Sequence, residues 1–134
     1  MPSYRQRTNK YHAKRTLGRT SDGGHRTFDS KFEAAVADEL FLRLKAGEIN
    51  DYECQYKVTM TAYTKHGDVA MTMNHKVDFR VHENDGSYTL LEAKGMETAD
   101  WKMRRNWLTM LWIPENLDHV YEVVKSSRRF RQFR

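Results

Sequence analysis

Apolar and polar residues alternate from His75 to His82. Val77, Phe79 and Val81 point one way, and Lys76, Asp78, Arg80 and His82 the other, the period of a strand with one covered face. The alternation resumes from Thr89 to Lys94, with Leu90, Glu92 and Lys94 on one face and Thr89, Leu91 and Ala93 on the other. Between the two lies Glu83-Asn84-Asp85-Gly86-Ser87, a hairpin signal. A three-residue loop Asn84-Asp85-Gly86, with Gly86 left-handed, pairs Glu83 with Ser87 and sets Asp78 opposite Glu92. A two-residue Asp85-Gly86 turn sets Asp78 opposite Ala93 instead. In the first register the two carboxylates share a face with Cβ atoms roughly 5 Å apart, unfavourable in a plain hairpin unless a cation or Lys94 compensates.

Earlier in the chain, Asp29-Ser30 opens a helix that runs to about Ala46 and is stopped by Gly47. At about 100° per residue, Phe32, Val36, Ala37, Leu40, Phe41 and Leu44 form its apolar half, and Glu33 falls inside that arc. Ser30 and Glu33 also fit a capping box, which accounts for the spacing but not for a carboxylate aimed at a core. Asp51 to Tyr63 has the alternation of a strand, with Gln55 near its start, and His66-Gly67-Asp68 turns the chain toward the Asp78 strand. A second helix, about Thr98 to Trp112, packs Trp101, Met103, Trp107, Leu108, Met110 and Leu111 on one side and exposes Lys102, Arg105 and Asn106. Arg104 lies on its apolar side, and Pro114 ends it. A last strand spans His119 to Lys125. The expected fold is α/β (α+β): a mixed four- to five-stranded sheet in an αβββαβ core.

Composition refines this picture. A chain of 134 residues forms one domain with a real core. The single Cys54 excludes an intramolecular disulfide and suits a reducing cytoplasm. No apolar run reaches membrane-spanning length, so no membrane partner is expected, and the polar N-terminus is not a signal peptide. The net charge of +5 is unevenly spread. Residues 1–28 carry Arg5, Arg7, Lys10, Lys14, Arg15, Arg19 and Arg26 against Asp22 alone. Residues 125–134 carry Lys125, Arg128, Arg129, Arg131 and Arg134 and no acid, and the middle is net acidic. Basic ends interleaved with Tyr4, Tyr11, Phe130 and Phe133 suit nucleic acid, because aromatic rings stack on exposed bases. Residues 1–27 read as a basic arm with little regular structure and a turn at Asp22-Gly23-Gly24, 28–127 as the core, and 128–134 as a basic tail. Lys14, Arg15, Arg19, Lys102, Arg105, Arg128, Arg129 and Arg131 are the candidate DNA contacts.

Glu33, Asp78, Glu92 and Lys94 are the candidate catalytic set, with Gln55 and His75 as accessory candidates. Alternating Asp, Arg, Glu and Lys is also how the wet face of any antiparallel strand reads, and Glu33 is the acid that tips the balance toward a cation held against a phosphodiester. The histidines lack zinc spacing, no glycine-rich phosphate loop appears, and neither a serine nor Cys54 sits in a nucleophile motif.

Glu33 on an early helix, then Asp78, then Glu92-Ala93-Lys94, resembles the PD-(D/E)XK nuclease superfamily. Lys94-Gly95-Met96-Glu97, the basic helix after it and Val123-Val124-Lys125-Ser126-Ser127 resemble the phage endonuclease I family of Holliday-junction resolvases. Phe28-Asp29-Ser30-Lys31-Phe32-Glu33, with Lys45-Ala46-Gly47-Glu48-Ile49 and Gln55, resembles a family of small uncharacterised phage proteins assigned to the same superfamily. Val77 stands in place of the motif's proline. The interval from Glu33 to Asp78 is longer than in endonuclease I, so a domain-swapped dimer is not implied. The resemblance implies a Mg²⁺-dependent endonuclease, with Mn²⁺ able to substitute, in which Asp78, Glu92 and the Ala93 carbonyl hold an ion and Glu33 assists. It implies a homodimer cutting branched or four-way DNA to 5′-phosphate and 3′-hydroxyl ends, in the cytoplasm of a host cell if phage-encoded. Another nuclease of the superfamily (restriction, nicking or transposon-end type) and a non-catalytic nucleic-acid-binding module are the alternatives.

Overall fold

A computed structural model describes residues 14–125. The chain runs β1 (Thr16–Arg19), β2 (His25–Phe28), α1 (Lys31–Lys45), β3 (Asp51–Tyr63), β4 (Val69–His82), β5 (Tyr88–Lys94), α2 (Ala99–Trp107) and β6 (His119–Lys125). From α1 onward this is the expected αβββαβ order. The main sheet is four-stranded and mixed, β3-β4-β5-β6, antiparallel except for β5 beside β6.

α1 forms where its pattern places it. Ser30 caps it by accepting from the Glu33 amide at 3.0 Å, and beyond its end Gly47 takes φ 75°. Its Ala34, Val36, Ala37, Leu40 and Phe41 are buried against Tyr52, Phe79, Val81, Leu91 and Val124 on one face of the sheet. On the other face Val58, Met60, Val77 and Leu90 pack under Leu108, with Trp107, Trp112 and Tyr121 beside them. No described helix is long and apolar enough to cross a membrane.

Three expectations need correction. Residues 16–27, read as part of an irregular arm, form the β1–β2 hairpin together with Phe28. It is tied down because Arg19 N–H donates to Asp38 (2.9 Å), the Tyr52 hydroxyl donates to the Arg19 carbonyl (2.9 Å), and Gly18 seats so closely that a Cβ there would lie 2.7 Å from the Phe28 ring. β4 begins at Val69 rather than near His75, so β3 and β4 run on as a two-stranded ribbon past β5, whose ladder with β4 ends at Phe79↔Leu91. The second helix is α-helical only to Trp107; Leu108–Trp112 widens into a π-helical turn and Ile113–Glu115, containing Pro114, tightens to 3₁₀.

Candidate functional site

The hairpin register is the one expected from Asn84-Asp85-Gly86. His82 pairs with Tyr88, Val81 with Thr89 and Arg80 with Leu90, while Glu83 N–H reaches the Ser87 carbonyl at 2.9 Å and Gly86 takes φ 89°. Continued one step beyond Phe79↔Leu91, that register sets Asp78 level with Glu92. The two carboxylates nevertheless do not share a face.

The cause lies across β3. Gln55 adopts φ 58°, a left-handed backbone that a glutamine seldom takes, and the β3–β4 ladder omits the Gln55–Asp78 pair. On one side of this point Tyr52, Cys54, Phe79 and Val81 pack toward α1. On the other, Tyr56, Val58, Met60 and Val77, at the same numbering parity, pack toward α2. The alternation is thus reset by one residue in both strands at once. Asp78 is thereby turned to the α1 side, where its Oδ2 accepts the Ala93 amide at 2.9 Å.

There it meets Glu33. Both carboxyls line one pocket, and the Gln55 amide donates to Glu33 Oε1 at 2.7 Å. Glu33 therefore spends its backbone N–H on the Ser30 cap and its carboxylate on the sheet, not on closing a capping box. Burial, then the nearby Asp29 charge, raises the Glu33 pKa above its ordinary value. Burial, then the charges of Glu33 and Glu92, holds that of Asp78 well above its own. Both shifts favour the protonated form of each carboxyl, because burial and like charge penalise the ionised one. They line a pocket of about 570 Å³ with Ala93, Lys94, Lys14 and Lys31.

Glu92 has a different setting. It is 3 % exposed. One carboxylate oxygen meets His75 Nε2, and the other accepts from the Trp101 indole and from the Tyr121 hydroxyl at 2.8 Å. Glu92 thus meets these three side chains on the α2 side, while Asp78 lies with Glu33 in the pocket. His75, an accessory candidate, is buried beside Glu92 and not in the pocket. Among the described residues no three His, Cys, Asp or Glu side chains converge into a ready metal cage.

The basic candidates separate. Lys14 and Lys94 line the pocket; the Lys94 ammonium and the Arg105 guanidinium each lie 5.1 Å from the Trp101 ring centre. Lys102 is exposed on α2, and Arg15 stands 3.9 Å from Asp29 on the surface. Arg19 lies over Phe41 at 4.2 Å, beside Asp38 and away from the pocket. Arg128, Arg129 and Arg131 lie outside the described residues, as do the aromatic residues of both termini. Tyr121 and Trp101 are what sequence reasoning missed: a strand tyrosine and a helix tryptophan read as bulk, and nothing in their spacing tells that both donate to one carboxylate.

One family model, described as a protein of unknown function (DUF1064), matches residues 8–128. No curated protein and no solved structure matches the chain.

Proposed function

We propose that this chain, which belongs to the DUF1064 family of unknown function, is a divalent-metal-dependent endonuclease acting on DNA. The observation that carries the reading is the Glu33–Asp78 pair: two carboxyls from distant parts of the chain, pressed together in a pocket with lysines at its rim. Such a pair fits a cation, because a positive ion between the two carboxyls offsets their repulsion and the cost of burying their charge. Glu33 and Asp78 would hold Mg²⁺ or Mn²⁺ there. When bound, the ion supplies positive charge that acidifies water and offsets the charge developing on a phosphodiester.

The chain's own groups account for the rest. Gln55 fixes the orientation of Glu33, and the Ala93 amide fixes that of Asp78. Lys94 places an ammonium where the phosphate oxygens gain charge. Lys14 and Lys31 draw the backbone to the pocket. Glu92 serves as a positioning residue: through His75, Trp101 and Tyr121 it joins β4, α2 and β6 just before Lys94. Preference for four-way or other branched DNA, paired cuts by a homodimer, and 5′-phosphate products follow from the resemblance to the endonuclease I family.

The commitment of Glu92 to the other face favours the second reading, a module that binds nucleic acid without cutting it. Supercoiled plasmid and a four-way junction incubated with Mg²⁺, Mn²⁺ or EDTA decide between them. The nuclease reading expects nicking or resolution with either metal and none with EDTA. Binding without cleavage in all three selects the binding module. The Asp78→Asn variant should bind the junction in Mg²⁺ and leave it whole; linear duplex competing better than junction for that variant removes the branch preference alone.

A further inference from the structure

Beyond β5 the β3–β4 ribbon keeps one face packed and leaves the other open. Val58, Met60, Val77 and Met73 face Leu108, Trp107 and Trp112, and Arg104, held by Asp100 at 3.0 Å, also donates to the Asn74 carbonyl. The ribbon is therefore braced from behind. On the opposite face Lys57 pairs with Lys76, Thr59 with Asn74 and Thr61 with Thr72, all exposed or half-exposed. The Thr59 hydroxyl donates to Asn74 Oδ1 across the strands at 2.8 Å.

Two lysines directly opposite each other on a ladder repel, and an anion lying between them would offset that repulsion. Among the described residues neither forms an ion pair. From Tyr56 to Val77 the sole acid is Asp68, in the turn. The alternation reset at Gln55 and Asp78 brings this open face onto the same side as the carboxyl pair. At about 3.4 Å per residue, the lysines stand roughly 7 Å along the ribbon from Asp78.

We propose that the open face of the β3–β4 ribbon, led by Lys57 and Lys76 and continued by Thr59, Asn74, Thr61 and Thr72, is the track that seats the sugar-phosphate backbone of a DNA duplex beside the Glu33–Asp78 pocket. The proposal rests on the nuclease reading and adds to it the surface that positions the substrate. Lysine and hydroxyl donors without carboxylates are what phosphate oxygens accept from, and they position a duplex without reading its bases. A two-stranded ribbon is also narrow enough to enter a major groove. The competing role for such lysines is to deter edge-to-edge pairing of an exposed strand.

The test is fluorescence anisotropy of a labelled duplex in EDTA across a salt series, with the wild type, the Lys57→Gln/Lys76→Gln double variant and the Lys57→Arg/Lys76→Arg control. The glutamine variant should bind about tenfold more weakly at low salt, and its log Kd against log salt slope should fall by about two. The arginine control should keep the slope, and Mn²⁺ binding measured without DNA should be the same in all three. A glutamine variant that cleaves plasmid but keeps the wild-type slope overturns the track and leaves the nuclease reading intact. The same unchanged slope with larger species in sedimentation assigns the lysines to guarding the edge, and also overturns it. A wild type that binds no duplex overturns the track, and cleavage of plasmid in Mg²⁺ decides the nuclease reading separately.

Discussion

Asp78 and Glu92 each lie one residue beyond the last β4–β5 pair, yet the protein treats the two carboxyls in opposite ways. On the α2 side Glu92 is surrounded by His75, Trp101 and Tyr121 and has what a buried anion needs. On the α1 side Asp78 has the Ala93 amide and then another acid, Glu33, which itself has Gln55 as its neutral donor. A satisfied buried carboxylate holds elements together, whereas a pair held in mutual repulsion is set for a ligand of opposite charge. On the proposed reading, that contrast gives structure to one face and chemistry to the other.

The most forceful way to break it is to remove Glu92. Glu92→Ala leaves the buried His75 and Trp101 and the half-buried Tyr121 without their acceptor and should cost about 3–5 kcal/mol in denaturant unfolding. Mn²⁺ binding should persist wherever the variant is still folded. A loss below about 1 kcal/mol accompanied by loss of the ion would move Glu92 into the cation site. Next in size, Asp78→Asn and Lys94→Ala should each slow plasmid cleavage by about 10²–10³-fold, the scale of deleting one electrostatic element from an active site. Lys94→Ala should leave DNA affinity nearly unchanged; equal losses of rate and affinity would make it a binding residue.

A pH experiment sharpens the comparison further. Asp78 and Glu33 both have raised pKa values, so the folded state retains protons that the unfolded chain releases. Their contribution is fully present below the ordinary carboxylate range and is lost as pH rises through the raised folded values. In EDTA, Asp78→Asn should therefore melt above the wild type at pH 8, with the gap closing as pH falls toward 4. A gap independent of pH would show that the pair is not under strain. The smallest effect concerns the backbone of Gln55: with the hydrogen bond to Glu33 lost in both variants, Gln55→Gly should be more stable than Gln55→Ala by about 1 kcal/mol, because only glycine takes φ 58° without cost. Equal stabilities would place that residue in ordinary strand geometry in solution.

Much of the frame was legible in the sequence. Glu83-Asn84-Asp85-Gly86-Ser87 narrowed the register to two pairings, and the one observed is that of the three-residue loop. The α1 wheel put Glu33 among apolar residues because helical period maps directly onto burial, and the αβββαβ order followed from the alternating periods. What stayed hidden shares a physical reason. Gln55 is not glycine, asparagine or aspartate, so its letter gives no sign of a left-handed backbone. Without that sign, strict alternation assigns Asp78 and Glu92 to one face. The β1–β2 hairpin escaped notice because its anchors are a close-packed glycine and hydrogen bonds to Asp38 and Tyr52, neither of which leaves an apolar period. The network around Glu92 was invisible because indole and phenol donors read as hydrophobic bulk until three elements bring them together.

The most direct measurement is calorimetric titration of Mn²⁺ into the wild type and into Asp78→Asn, in buffers of differing ionisation enthalpy. We expect the wild type to bind the ion with release of a proton from the Glu33–Asp78 pair, whose pKa values are both raised, and the variant to bind none. Equal binding by both proteins, or binding without proton release, would contradict the assignment of the carboxyl pair as the cation site.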